Sequence, residues 1–290
     1  MVPLLVVSSE DSVMRFLALV LVLTFGLVKG YAAEAAKAPV KDVASVVVED
    51  KAPIVTLRES VLSDYVFRGQ LRNDDPISQT EVGINKGAFS LNFCGITDLT
   101  ANASDNELNV TEFRIDAGLH KVVYSNAASK LLSSVELFGG AIYYSFPESK
   151  REATTEVYGG VDTTSAFGIH TRTTAYYDID EVGGGYLQTK VYRPINVPVK
   201  FNVGKQSFKT TLYPEAALGW GSKDYDEYYW NDKNSAFTDV SVSVKLLFES
   251  KSFEFGPSVT YTDLIDSKVQ AAQDEDSSKW IYGLLFGVKF

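Results

Sequence analysis

Two histidines, His120 and His170, are the residues in this sequence best suited to acid–base work near neutral pH. A serine hydrolase would need one of them to converge with a serine and an orienting acid. No local motif brings such groups together, and "GIHTR" around His170 does not resemble a nucleophile elbow. The single cysteine, Cys94, excludes an intrachain disulfide, and the chain has no Cys/His spacing suited to zinc. The acidic stretches "KDYDEYYWNDKN" and "QDEDSS" do not follow the EF-hand spacing, and no helix is expected after "GGG" at 183–185 to make a phosphate cradle. No catalytic residue, metal or cofactor is therefore expected.

The remaining chemistry-bearing side chains are charges that alternate with apolar residues. In "VTEFRIDAGLHK", Phe113, Ile115, Ala117 and Leu119 oppose Glu112, Arg114, Asp116 and His120. In "DVSVSVKLLF", Val240, Val242, Val244, Leu246 and Phe248 oppose Ser241, Ser243 and Lys245. A period of two places such sets on opposite faces of a strand. The polar set expected to face one shared interior is Arg58, Asp64, Arg68, Glu112, Arg114, Asp116, His120, His170, Arg172 and Lys245. Charges of both signs around a confined aqueous space select ions electrostatically, because low-dielectric walls focus their field.

The elements that must position them are strands. Alternation begins at Ile54 and predicts twelve: 54–67, 78–85, 88–97, 110–123, 133–146, 155–163, 168–178, 185–195, 207–220, 237–248, 253–263 and 280–290. Which face is inside depends on the connections. Those after the odd-numbered strands are mostly long and polar, such as "DLTANASDNELN", "GSKDYDEYYWNDKNSA" and "LIDSKVQAAQDEDSSKW". Those after the second, sixth and tenth are tight ("KG", "TSAF", "ESKS"). Long loops at one end and short turns at the other characterise a transmembrane antiparallel β-barrel with its apolar face toward lipid. Residues 194–206 could hold a thirteenth strand, which would send the C-terminus to the wrong side. They read instead as an extension of the eighth strand and a wide turn, with Pro194 and Pro198 disrupting regular pairing.

The two ends of the chain fit the same reading. Met14-Arg15, the apolar run "FLALVLVLTFGLV" and the small residues after it form a signal peptide over residues 1–33, with Met14 as the working start. Residues 34–53 read as a periplasmic linker and 54–290 as the barrel. At the far end, "KWIYGLLFGVKF" puts Trp280, Tyr282, Leu284, Phe286, Val288 and Phe290 on one face. A strand ending in an aromatic resembles the signal read by the outer-membrane assembly machinery; Trp280, Tyr282, Phe286, Val288 and Phe290 are its expected residues. The net charge of −10 argues against a nucleic-acid partner. The expected partners are outer-membrane lipid, lipopolysaccharide and that machinery; nothing in the spacing speaks to oligomeric state.

"SDYVFRG" at Ser63–Gly69, followed by Asp75-Pro76 and Gln79, resembles the opening signature of the TorF family of outer-membrane porins. "AYYDIDEVGGGYLQ" at 175–188 and the terminal Phe290 are similar to the same group, whereas Gln70-Leu71-Arg72 departs from it. The resemblance implies an outer-membrane location and a barrel that passes small hydrophilic solutes. It carries no catalytic or ligand residues. A lumen of twelve strands lies between the filled interior of eight and the channel of sixteen. Its mixed charges suit a narrow water-filled pore, or equally a paired network that stiffens a non-conducting barrel.

Overall fold

A computed structural model describes residues 52–100, 109–129, 131–147, 151–273 and 277–290. The signal peptide and residues 34–51 of the linker lie outside the described residues. From Ile54 onward the described residues are mostly strand: β1 (Ile54–Leu62), β2 (Tyr65–Phe67), β3 (Gln70–Asn73), β4 (Ile77–Lys86), β5 (Phe89–Asp98), β6 (Asn109–Ser125), β7 (Leu132–Ser145) and β8 (Thr154–Ser165) come first. They are followed by β9 (His170–Asp178), β10 (Gly185–Tyr192), β11 (Ile195–Val203), β12 (Gln206–Gly221), β13 (Ala236–Glu249), β14 (Phe253–Leu264) and β15 (Ser278–Lys289).

Twelve of these strands, all except β2, β3 and β11, close into an antiparallel barrel. Neighbours in sequence pair around it, β10 pairs with β12, and β15 pairs with β1. The seam is complete to the last residue: the Phe290 N–H donates to the Val55 carbonyl at 2.9 Å. Closure removes the exposed edge that an open sheet would present to hydrocarbon. Among the described residues no helix is long and apolar enough to cross a membrane.

β11 resolves the thirteenth-strand question. It continues the β10 ladder along the lower part of β12, from Ile195 opposite Leu212 to Val203 opposite Gln206. Pro194, which lacks an N–H, marks the break, and the register shifts between Val197 and Lys200, around Pro198. It is a hairpin extension, and the barrel keeps its even count, but the expected wide turn is absent: Val203 pairs with Gln206 across Gly204-Lys205. At the tight-turn end, Lys86 pairs with Phe89 across Gly87-Ala88. Gly87 has φ +60°, the left-handed conformation that a two-residue hairpin requires at its first loop position.

One expectation fails at the long-loop end. The first strand does not run through to Phe67. It stops at Leu62, and the chain doubles into a separate hairpin of β2 and β3, with Phe67 opposite Gln70. Arg68 and Gly69 between them both have positive φ (51° and 78°), which is a type I′ turn. The long polar loops contain two short helices, α1 (Lys223–Trp230) and α2 (Ser267–Ala272). Ser222 caps α1 by accepting from the Tyr225 N–H, and Asn231 ends it in the left-handed conformation.

The two faces of the wall differ as the alternation requires. Leu57, Phe89, Leu119, Val157, Leu187 and Val242 are exposed on the outside. Along β15 the outward Tyr282, Leu284 and Phe286 are 61%, 66% and 52% exposed, while Gly283 and Gly287 on the other face are buried. Rings gather on the outer surface near both ends of the barrel. Phe201, Phe208, Phe248 and Phe255 pack at centroid distances of 5.2–5.4 Å by the turns, and Tyr261 meets Trp280 at 5.0 Å by the loops. An apolar band between aromatic girdles suits a bilayer. Glu59 is an exception on the outer face, where the Ser78 and Thr80 hydroxyls donate to its carboxylate.

Candidate functional site

The site is the barrel interior, and register assembles it. Arg58, Glu81, Cys94 and Arg114 stand opposite one another on β1, β4, β5 and β6, and Glu254 lies across Gly287 on the other side of the seam. Period-two alternation on every strand then turns the whole row inward. A luminal cavity of 230 Å³ is bounded by Thr56, Arg58, Glu81, Asn92, Cys94, Arg114, Asp116 and Ile142. It carries cations and carboxylates on the same wall.

Most of these charges have partners. Arg58 donates through Nε to Glu254, which Lys289 also approaches at 3.4 Å. Arg114 lies 3.2 Å from Glu112 and donates to the Cys94 sulfur at 3.1 Å. Asp116 accepts from the Tyr158 hydroxyl at 2.8 Å. On the opposite wall Arg172 sits over the Phe138 ring at 3.7 Å and 3.8 Å from Asp162, and Lys190 approaches Glu215 at 3.7 Å. Lys245 projects from the luminal face of β13, opposite Tyr213 and Ser258.

The histidines join this lining. His120 lies on the luminal face of β6 opposite Phe138. His170 stacks on Tyr192 with centroids 4.6 Å apart. Its Nδ1 faces the Thr164 hydroxyl at 3.2 Å and Asp162 at 3.6 Å. A catalytic triad needs hydroxyl and acid on different ring nitrogens; here both address the same one.

Two of the expected wall residues stand elsewhere. Asp64 is on no strand; it occupies the corner between β1 and β2, where its carboxylate accepts from the Ser63 hydroxyl at 2.6 Å. Arg68 is carried on the tip of the β2–β3 hairpin. That hairpin crosses the loop-end mouth, and both Arg68 Nη atoms reach Glu156 of β8 at 2.6 and 2.8 Å. The two side chains are each 6% exposed. The hairpin base is held by a buried cluster of Tyr65, Ile77, Cys94 and Ile96, and the Tyr65 hydroxyl donates to Glu112 at 2.9 Å. Asp64 and Arg68 leave the expected wall because alternation alone does not show where a strand ends. The Arg-Gly pair is the one sequence signal for a turn here.

Residues that alternation singles out only generally have specific positions in the fold. Glu156 anchors Arg68, Tyr144 donates to the same carboxylate at 2.9 Å, and Tyr176 and Tyr186 flank the guanidinium. Trp280, Tyr282, Phe286 and Val288 face outward on the closing strand, and Phe290 is 76% exposed at its end.

No family model and no curated protein matches this chain. Among solved structures it is similar to the KdgM porin, at 9% identity over 82% of this chain and 98% of that one, with a TM-score of 0.41. It is similar to LpxR from Salmonella typhimurium, at 10% identity over 80% of this chain and 99% of that one, with a TM-score of 0.43. The NanC porin gives 11% identity, 81% and 98% coverage, and a TM-score of 0.41. Independently of these likenesses, the closed twelve-stranded wall with an apolar exterior and a charged interior is a β-barrel of outer-membrane type.

Proposed function

We propose that this chain is an outer-membrane barrel that acts as a narrow pore for passive diffusion of small hydrophilic solutes or ions, and not as an enzyme. The observation that carries this reading is the luminal cavity between Arg58 and Arg114, lined by charges of both signs inside an apolar-faced wall. A diffusion pore needs such a lining to replace part of a solute's hydration without binding it tightly. The resemblance of Ser63–Gly69 to the TorF family agrees with it. On the same reading Trp280, Tyr282, Phe286, Val288 and Phe290 serve as the outer-membrane assembly signal. The pore-lining residues are Arg58, Glu112, Arg114, Asp116, His120, His170, Arg172 and Lys245, with Arg68 at the constriction.

A second reading has its own support. The hairpin that seats Arg68 on Glu156 narrows the loop-end mouth, as a non-conducting structural or surface-binding barrel would require. Purified protein, inserted singly into planar bilayers and shown to be folded by heat-modifiable migration, separates the two. Steady conductance steps are expected from the pore. Silence across repeated insertions of folded protein would favour the structural barrel.

A further inference from the structure

The box around Arg68 is built by the barrel wall and not by the hairpin that delivers the arginine. Glu156 on β8 presents both carboxylate oxygens to the two Nη atoms. The guanidinium carbon lies 4.3 Å from the Tyr176 ring centroid on β9 and 4.5 Å from that of Tyr186 on β10. The box is held in shape by other groups: Tyr144 of β7 donates to Glu156 Oε2 at 2.9 Å, and the Tyr186 hydroxyl donates to Asp239 of β13 at 3.0 Å. A buried carboxylate offering two parallel acceptors beside aromatic faces matches a planar guanidinium in fork geometry, charge and stacking. A compact ammonium matches only the charge.

The occupant reaches the box from a segment outside the barrel ladder. β2 and β3 pair only with each other and share no ladder with the barrel. Arg68 is a non-glycine residue held at φ +51°, a conformation L side chains adopt at a cost. Near the tip, the Gln70 amide reaches the Tyr225 hydroxyl at 3.4 Å, and the Leu71 N–H reaches the Gln273 side chain at 3.4 Å, both long contacts. The firmer ties, Tyr65 to Glu112 and the cluster with Ile77 and Ile96, lie at the base. The base is thus tied to the wall independently of the tip, where Gly69 packs against Leu264 and Asp239.

We propose that this box is a guanidinium-binding site of the barrel wall, filled at rest by the chain's own Arg68, and that a solute bearing a free guanidinium group takes it over and draws the hairpin tip out of the mouth. The binding half stands on the box alone, whereas the opening half rests on the pore reading. Arg68 is tethered beside its site at a high effective concentration, so a free competitor must be supplied at millimolar levels or above.

The test uses full-length protein as wild type, Arg68→Ala and Arg68→Ala/Glu156→Gln, with methylguanidinium as the probe and methylammonium and urea as controls. Millimolar methylguanidinium should raise the thermal midpoint of Arg68→Ala by several degrees and leave the double variant unmoved, since ligand bound only to the folded state stabilises it. Methylammonium should do less and urea nothing. If Arg68→Ala fails to fold, Arg68→Gln replaces it in both backgrounds. Equal responses of the single and double variants would overturn the site. In bilayers, methylguanidinium should raise wild-type conductance at least about twofold, as expected when a tethered competitor is displaced, and methylammonium should not. An unchanged wild-type conductance beside a stabilised Arg68→Ala would overturn the opening half. If wild type and Arg68→Ala are both silent, the pore reading and the opening half fail together, and the thermal response still decides the site.

Discussion

Arg68 and Glu156 lie 88 residues apart in sequence and meet in a two-pronged ion pair across the barrel mouth, with Nη–Oε distances of 2.6 and 2.8 Å. Both side chains are almost completely enclosed. Removing one partner of such a pair strands the other charge in a poorly hydrated place, typically at a cost of about 3–5 kcal/mol. Glu156→Gln should therefore release the hairpin tip. Trypsin is the direct probe, since Arg68 sits in the turn and Arg72 follows it on β3. The folded wild type should resist cleavage there and the variant should be cut. Equal resistance in both would mean that the pair does not hold the hairpin.

The facing of the wall can be tested one residue at a time. Val242 points outward from β13, and Ser241 beside it points into the lumen, opposite Ala217 and Thr262. Val242→Arg should lower folding stability by roughly 2–4 kcal/mol if the site lies near the bilayer midplane. Ser241→Arg should cost much less because its side chain meets water. Urea titrations of barrels folded into vesicles would give both values, and similar penalties would refute the facing.

The closing seam makes a second demand. Phe290 completes the ladder to Val55 and exposes its ring on the outside. Phe290→Asp should sharply reduce the amount of heat-modifiable protein reaching the outer membrane. Lys289→Gln, which loses only a luminal contact to Glu254, should be close to wild type. Normal outer-membrane levels of folded Phe290→Asp would count against the assembly role.

Selectivity should follow the cavity charges. Arg58→Gln with Arg114→Gln removes two cations and leaves the carboxylates of Glu254 and Glu112 in the lumen. The reversal potential in a salt gradient should then move toward cation preference, because the fixed charge of the lining has become more negative. An unchanged reversal potential in conducting protein would remove these arginines from the pore lining.

The loop end also predicts a pH dependence. Asp226 of α1 is fully buried, and its Oδ2 accepts from the Ala236 N–H at 2.9 Å. Burial, above all, pushes its carboxyl up to about 7. The Ala236 hydrogen bond opposes that rise, while the carboxylates of Asp232, Asp266 and Asp239 add to it. An unfolded aspartate titrates near 3.9, roughly. Between those values the folded loop binds more protons than the unfolded one, so its stability falls as pH rises from about 4 to 7 and levels off above. Proteolysis of the α1 loop should accordingly quicken across that range in wild type. Asp226→Asn should show a flat profile, and an equally steep one would assign the effect to another group.

Short-range properties of this barrel are written in the residue order itself. Alternation such as Phe113, Ile115 and Ala117 against Glu112, Arg114 and Asp116 decides which side chains share a face, and its run lengths set twelve barrel strands. The asymmetry of the connections decides which face is lipid-like. Both are legible without the fold, because the pleat repeats every two residues whatever the rest of the chain does. Even β11 reads as an extension, through Pro194 before it and Pro198 within it, although its tight turn at Gly204-Lys205 does not.

The partners come from closure and loop packing. Arg58 meets Glu254 at a separation of 196 residues only because β15 closes on β1, and the alternation is the same in an open sheet. Arg68 alternates as correctly as its neighbours, so the pattern carries it along the wall. The positive φ angles at Arg68 and Gly69, and a carboxylate waiting between Tyr144 and Tyr176 on the far side, turn it across the mouth instead. The helices α1 and α2 are hidden from the pattern for a related reason. They are eight and six residues long, too short for a period of 3.6 to stand out among acidic loop residues, and they are held by caps at Ser222 and Asp266 and by packing on the barrel rim. Local pattern sets which way a side chain points on a strand, whereas barrel closure and loop packing set what it meets there.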